Sequence, residues 1–392
     1  MKNKLNRRSW LKAGSVLAAG LAYQPFSSVQ ATPPAAPMQP LPFFTPEYEY
    51  LPTDRGDIPP IRARLGANEN PFGPAESAKK AIIDAINDSF MYPRDGRQEL
   101  IDTIAKIEGV APEQVLIGAG STELLMAAAL YYSQGGGSII SGDPSYLSLV
   151  SMASKYGATW EKVPLTKDFD LDLPAMEKRV SDKTSLVYIC NPNNPTGKLL
   201  NPDQLSDFCA SVSPKKPVFV DEAYIDYAGD AQKLSAIANI KKGQNVIVAR
   251  TFSKVHAFAG LRIGYCIGLP ETIEKISMYS TRGGTTAATS VYGAIASLQD
   301  QEFLKFSVEQ NEISKKYIYG VLKNMGYTCL PSATNFVLFP IKMKADGFRK
   351  AMLEKGVAIR TWEFDGQTWC RVSMHTLEKM KIFEEAFKEV VA

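Results

Sequence analysis

Histidine is nearly absent from this chain. Two residues, His256 and His375, stand in 392, which removes multi-histidine metal sites and leaves a Ser-His-Asp triad few places to find its base. The five cysteines, Cys190, Cys209, Cys266, Cys329 and Cys370, are odd in number and show no CxxC pair or ligand spacing. Neither a metal centre nor a disulfide framework is therefore expected. The apolar run Ala13–Ala22 is about half of the ~20 residues that a membrane-spanning helix needs, so no stable span is expected. No charge dominates: 44 basic and 41 acidic residues give +3, and nothing calls for a nucleic-acid partner. With 45% hydrophobic and 22% charged residues, the composition is that of a globular enzyme, with length enough for two domains.

The positive excess is local. Residues 1–31 hold Lys2, Lys4, Arg7, Arg8 and Lys12 and no acid, so the remainder is net −2. Asn6-Arg7-Arg8-Ser9-Trp10-Leu11-Lys12 precedes the apolar run, and proline-rich sequence follows it. The segment resembles a twin-arginine (Tat) export signal, with cleavage expected after Ala31 in Val29-Gln30-Ala31. The resemblance implies the Tat machinery as a partner of the precursor, export in the folded state and a periplasmic location.

Residues 32–74 read as an N-terminal arm contributing to a small domain. From 75 to 284, helical and strand patterns alternate. Ala81, Ile82, Ala85 and Ile86 have helical spacing, as do Leu100, Ile101, Ile104 and Ile107. Short apolar runs follow at 115–117, 138–140, 186–189, 218–220, 246–248 and 263–266. Such continuous runs suit a mostly parallel sheet covered on both faces, hence an α/β core. Residues 285–392 read as a smaller α+β domain: a helical pattern to about Met325, strands near Asn335–Pro340 and Trp369–Ser373, and helices between and after them.

The chemistry gathers at strand ends. One run ends in Cys190-Asn191-Pro192-Asn193-Asn194-Pro195-Thr196-Gly197, the next in Asp221-Glu222-Ala223-Tyr224, the next in Thr251-Phe252-Ser253-Lys254. Ligands of open α/β sheets bind at that edge. A lysine able to form a Schiff base, a carboxylate for a pyridine nitrogen and phenol and amide donors suit pyridoxal 5'-phosphate. Arg262, in Gly260-Leu261-Arg262-Ile263-Gly264, can pair bidentately with a phosphate.

The ordered set NPxNPTG, DExY, TFSK and GLRxGY resembles fold-type I aminotransferases of class I/II. Leu65–Pro74 with Tyr92-Pro93 resembles the histidinol-phosphate aminotransferase branch. The likeness runs from about Leu65 to the C-terminus and implies a large seven-stranded-type sheet domain with a smaller α+β domain. By position, it implies Lys254 as the Schiff-base lysine and proton shuttle, Asp221 at the pyridine nitrogen, and Tyr224 and Asn194 at the ring oxygen. It implies Gly120, Ser121, Thr122, Thr251, Ser253 and Arg262 around the phosphate, and Tyr146 stacked on the ring. Tyr92 is implied to cross to the partner's phosphate in a homodimer with shared sites. Arg371 is implied to grip the substrate carboxylate, with Asn70 and Arg360 also on the substrate side. No metal is implied.

Bland roles exist for each: Ser121 or Thr122 as a helix cap, Asn194 as a turn residue, Tyr146 and Tyr92 as packing aromatics. The branch's proline-tyrosine-glycine motif is not seen in Phe43–Ile61, so a substrate phosphate does not follow, and Arg360 is read as serving an acidic or polar side chain, or only the protein surface. The expectation is an exported aminotransferase passing an amino group between an L-amino acid or related amine and a 2-oxo acid. The alternatives are a racemase or lyase on the same fold and, less favoured, a non-catalytic binding protein.

Overall fold

The computed structural model describes residues 59–392; the segment read as an export signal and most of the expected N-terminal arm lie outside the described residues. The strands in chain order are β1 (Ala63–Arg64), β2 (Val115–Gly118), β3 (Ser138–Asp143), β4 (Thr159–Pro164), β5 (Thr184–Cys190), β6 (Val218–Asp221), β7 (Val246–Thr251) and β8 (Gly264–Ile267). Four more follow: β9 (Phe336–Ile341), β10 (Val357–Ala358), β11 (Arg360–Phe364) and β12 (Gln367–Ser373).

Strands β2 to β8 form one sheet in the order β2-β8-β7-β6-β5-β3-β4. All neighbours are parallel except β8, which runs antiparallel to both β2 and β7. Alternate residues feed two different cores, as a pleat with period two demands. Val187, Ile189, Val218, Val220, Val246 and Val248 enter one; Leu186, Tyr188, Cys190, Phe219, Ile247 and Ala249 enter the other. A sheet buried on both faces cannot alternate polar and apolar residues, which is why its central strands read as unbroken apolar runs. The mostly parallel α/β expectation holds. The strand of this sheet that the apolar runs do not disclose is β4: it is an edge strand of mostly half-buried residues, so Thr-Trp-Glu-Lys carries no hydrophobic run.

The small sheet has the order β11-β12-β9, all antiparallel. Strand β1 pairs in parallel with β10, and the Ser373 N–H donates to the Leu65 carbonyl at 2.8 Å. The segment after Ile61 is thereby stitched into this sheet. Val337, Phe339, Cys370 and Val372 point into a third core with Phe348, Phe383 and Phe387. The single helical pattern expected after Ser290 is two helices, Ala288–Gln299 and Gln301–Asn324. Asp300 separates them and caps the second by accepting from the Phe303 N–H at 3.0 Å. Val291, Ala294, Ile295 and Leu298 of the first complete the core of the large sheet.

Candidate active site

The carboxyl ends of β5, β6 and β7 converge at one edge. Asp221, the last residue of β6, is 1% exposed. Its Oδ1 accepts the Ala223 N–H at 3.2 Å and its Oδ2 accepts the Tyr188 hydroxyl at 3.2 Å. Burial pushes its carboxyl up to about 6, against the lowering effects of the Tyr188 and Ala223 hydrogen bonds and the Lys254 charge. A buried acid held this way is suited to a partner that brings a positive charge. Tyr188 is a site residue the motif reading passed over. The signal is in the pairing: Cys190 lies opposite Asp221 in the parallel ladder, and Tyr188, two residues earlier, shares its face.

Lys254 is half-buried, its Nζ 5.4 Å from the Tyr224 ring centroid and 3.4 Å from the Ala67 carbonyl. The buried Tyr224 hydroxyl accepts from Asn68 Nδ2 at 2.9 Å. Asn68 is itself locked by Ser373: its N–H donates to Ser373 Oγ at 2.9 Å, and that hydroxyl donates back to Asn68 Oδ1 at 2.7 Å. Asn70 is placed differently. Its Nδ2 donates to the Val255 carbonyl and to Ser307, and its Oδ1 accepts the Phe72 N–H, so its polar atoms are spent on scaffolding and Asn68 is the one that reaches the cluster.

Asn194 Oδ1 accepts from Arg371 Nη1 at 2.6 Å, and Arg371 Nη2 donates to the Gly66 carbonyl at 2.6 Å. The acceptor side of the amide is thus occupied, which leaves Nδ2 as the atom that Asn194 can offer to a ligand. The neighbouring Asn193 ties the turn to the loop bearing Tyr146: Ser145 Oγ donates to Asn193 Oδ1 at 2.7 Å, and Asn193 Nδ2 to the Pro144 carbonyl at 3.2 Å. Tyr146 is half-buried against the core that contains Tyr188 and Cys190. Burial, and then the nearby Asp221 charge, hold the Cys190 thiol well above its ordinary range; it behaves as a small hydrophobe.

The third part is an anion cradle. The helix Ser121–Tyr132 starts without a side-chain cap, so its first N–H groups keep their hydrogen-bonding capacity for an incoming anion. Gly120 has φ +78°, and a Cβ there would run into the Arg262 guanidinium. Arg262 Nη1 donates to Ser253 Oγ at 3.2 Å, and Nη2 to Thr122 Oγ1 at 3.4 Å. Thr251 Oγ1 accepts the Ser253 N–H at 3.1 Å. Glu123 pins the loop by accepting from the Ala119 N–H at 2.7 Å and the Thr281 N–H at 2.9 Å. An uncapped helix end, a guanidinium and three hydroxyls fit a phosphate; the buried Asp221 fits a protonated ring nitrogen. The donor set therefore fits pyridoxal 5'-phosphate.

Arg371 lies opposite Arg360 in the β11–β12 ladder. Its guanidinium is 5.0 Å from the Phe336 ring and 4.8 Å from the Trp362 ring. Phe336 in turn meets Tyr224 edge to face at 5.2 Å, so the small sheet closes directly onto the edge carrying Asp221 and Lys254. Tyr92 is 79% exposed, and among the described residues no side-chain hydrogen bond or ring contact joins it to this cluster. No group of three or more His, Cys, Asp and Glu among the described residues could hold a metal ion, and no helix among them is long and apolar enough to cross a membrane.

Known proteins resemble this chain in sequence and fold. The family model for aminotransferase class I and II matches residues 61–387. A histidinol-phosphate aminotransferase of Moorella thermoacetica is 34% identical over 84% of this chain and 85% of its own. An aromatic amino acid aminotransferase of Mycolicibacterium vanbaalenii is 34% identical over 79% of this chain and 88% of its own. The crystal structure of histidinol-phosphate aminotransferase from Sinorhizobium meliloti, in complex with pyridoxal 5'-phosphate, superposes with a TM-score of 0.79 at 28% identity, over 90% of this chain and 99% of that one. The match to the family model and these relatives place the chain in the class I and II aminotransferases, as a pyridoxal 5'-phosphate-dependent, histidinol-phosphate aminotransferase-like enzyme.

Proposed function

We propose that this aminotransferase takes its amino group from a donor bearing a ring and an anionic group, histidinol phosphate first among them, and passes it to a 2-oxo acid. The observation that carries the reading is the placing of Arg360 opposite Arg371 on the small sheet, with Arg371 tied to the cofactor edge through Asn194 at 2.6 Å; two cations there suit an anionic donor, and the ring is what the histidinol-phosphate and aromatic amino acid aminotransferases among its relatives support. When bound, the cofactor supplies an electron sink for the pair released at the substrate Cα. The phosphate is held by Gly120, Ser121, Thr122, Thr251, Ser253 and Arg262. Asp221 would keep the ring nitrogen protonated, Tyr224 and Asn194 Nδ2 would hold the ring oxygen, and Tyr146 would pack on the ring. Lys254 Nζ would anchor the cofactor and carry the proton released at the substrate Cα. Arg371 orients the substrate anion. Arg360, on the same sheet face, adds a second positive charge for that anion; Asn70 supports the neighbouring segment.

Two wider features belong to the same reading. The exposed segment Phe90, Met91 and Tyr92, with Ile83 and Ile86 on the preceding helix, supports a homodimer in which Tyr92 completes the partner's cradle. The Arg7-Arg8 motif supports Tat export of the folded, cofactor-loaded chain to the periplasm; wild-type and Arg7→Lys/Arg8→Lys chains compared in periplasmic fractions test that directly.

The reaction itself is tested by incubating the cofactor-loaded chain with histidinol phosphate, aromatic amino acids and other L-amino acids, each with and without 2-oxoglutarate. Oxo product that depends on the acceptor is expected. Enantiomer formation, decarboxylation or Cα deuterium exchange without net transfer overturns the reading in favour of a racemase or lyase.

A further inference from the structure

Trp362 belongs to none of the motifs, yet it lies between the two arginines of the substrate side. On β11 and β12, Arg360 is the direct cross-strand neighbour of Arg371, and such pairs share one sheet face. Trp362, two residues along β11, shares that face. It is the face opposite the small core, since Cys370 and Val372 of β12 and Val337 and Phe339 of β9 point into that core. Phe336, Arg371 and Ser373 point the other way, onto Tyr224, Asn194 and Asn68.

Two like charges directly opposite each other on one face repel. Among the described residues Arg360 makes no carboxylate ion pair that would relieve this; the acid on its own strand, Glu363, is exposed, and odd spacing from Arg360 puts it on the other face. What both guanidiniums share is the indole. Arg371 lies 4.8 Å from the Trp362 ring and Arg360 5.5 Å from it, within the range in which a cation is attracted to an aromatic face.

We propose that Trp362 is a specificity-determining residue: its indole is a shared cation–π shelf that holds Arg360 beside Arg371, so that the site selects substrates carrying two negative charges over those carrying one. The inference rests on the reading of Arg371 as the substrate-anion residue. A phosphate monoester and a dicarboxylate present the same charge by different chemistry, and the probes separate them.

The test is calorimetric binding of glutarate, n-propyl phosphate and pentanoate to cofactor-loaded wild type, Trp362→Leu, Trp362→Phe and Arg371→Leu. Wild type is expected to prefer one or both dianions over pentanoate. In Trp362→Leu that preference falls about tenfold, while pentanoate affinity changes little; Trp362→Phe, which keeps an aromatic face, restores most of it at unchanged melting temperature. A wild-type preference of one overturns the proposal, as does an unchanged ratio in Trp362→Leu, or a Phe variant as impaired as Leu. Arg371→Leu is expected to lose all three ligands. If it keeps pentanoate while Trp362→Leu loses the dianion preference, the reading of Arg371 fails and the shelf stands.

Discussion

The two sheets build their halves of the site by different means. At the edge of the large sheet, functional groups sit at strand ends and are fixed by buried, short-range hydrogen bonds: Asp221 by Tyr188 and Ala223, Ser253 by Thr251 and Arg262. On the small sheet they sit within strands and are placed first by cross-strand register, with aromatic faces as neighbours: Arg371 against Phe336 and Trp362, where it also donates to Asn194 and the Gly66 carbonyl, and Arg360 against Trp362. Strand ends position chemistry that must not move. A sheet face presents a surface on which the substrate can be changed one side chain at a time, so substitutions on the large sheet should act on turnover and those on the small sheet on binding.

Lys254→Ala gives the strongest test of the first half. Loss of the proton-carrying amine alone removes about 10²–10⁴-fold in rate, and loss of the covalent anchor adds to it. Expected is a kcat reduced by at least about 10³-fold, with cofactor that exchanges on dialysis and no longer shows the absorbance of a lysine adduct. A variant that keeps kcat within tenfold would break the division between the sheets at once.

Asp221→Asn separates stability from function at the same edge. In the cofactor-free protein, burial raises the Asp221 carboxyl from 3.8 to about 6. The folded state therefore binds the proton more tightly than the unfolded chain. The cost of burying the charge is fully present above pH 6 and is relieved as pH falls from about 6 toward 4. Two units correspond to roughly 3 kcal/mol, so the apo-variant should be more stable than wild type at pH 8, with the gap closing by pH 4. With cofactor, kcat should fall about 10²–10³-fold, because the opposing charge on the ring nitrogen is lost. Denaturant melts of the apo-proteins at the two pH values check the sign.

These two residues were also the easiest to read. Asp221 ends β6 and Lys254 follows β7 by three residues; both strands are buried on both faces, so they announce themselves as apolar runs, and the polar residues that follow each run stand out. Arg371, in Cys370-Arg371-Val372-Ser373, was legible only through the family resemblance. Trp362 was not: β11 is a partly exposed hairpin strand, and its importance depends on which residue lies opposite, a register that no local pattern states. Asn68 and Asn70 show the same limit from the other side. Both lie in one short motif, and only the three-dimensional path decides that Asn68 reaches Tyr224 while Asn70 holds Val255 and Ser307.

Arg371→Leu probes the small sheet. It removes hydrogen bonds from a charged donor, each contributing about 1.5–3 kcal/mol, and leaves Asn194 Oδ1 without its donor. A KM raised by about 10–100-fold is expected, with kcat lowered far less than in Lys254→Ala. Since Asn194 belongs to the large sheet, some loss of kcat should accompany it; a loss of kcat without change in KM would mean that Arg371 serves the cofactor edge rather than the substrate.

The smallest effect is the most informative about how the edge is held. Tyr188 lies fully inside the core, and its hydroxyl donates to Asp221 Oδ2. Replacement by phenylalanine keeps the ring packed against Phe219, at 6.1 Å between centroids, and deletes one hydrogen bond to a charged acceptor, worth about 1.5–3 kcal/mol. That bond favours the ionised acid, so its loss should raise the Asp221 pKa in the apo-protein by about one to two units, measurable by carboxyl NMR titration. In the loaded enzyme the same change should lower the pH at which the bound cofactor's absorbance titrates, because a less readily ionised Asp221 supports the ring nitrogen's proton less well. If packing were all that Tyr188 contributed, Tyr188→Phe would leave both titrations unmoved. A shift in both makes the phenol the third member of the group that governs the cofactor's ring nitrogen, fixed by the pairing of β5 with β6 rather than by any motif.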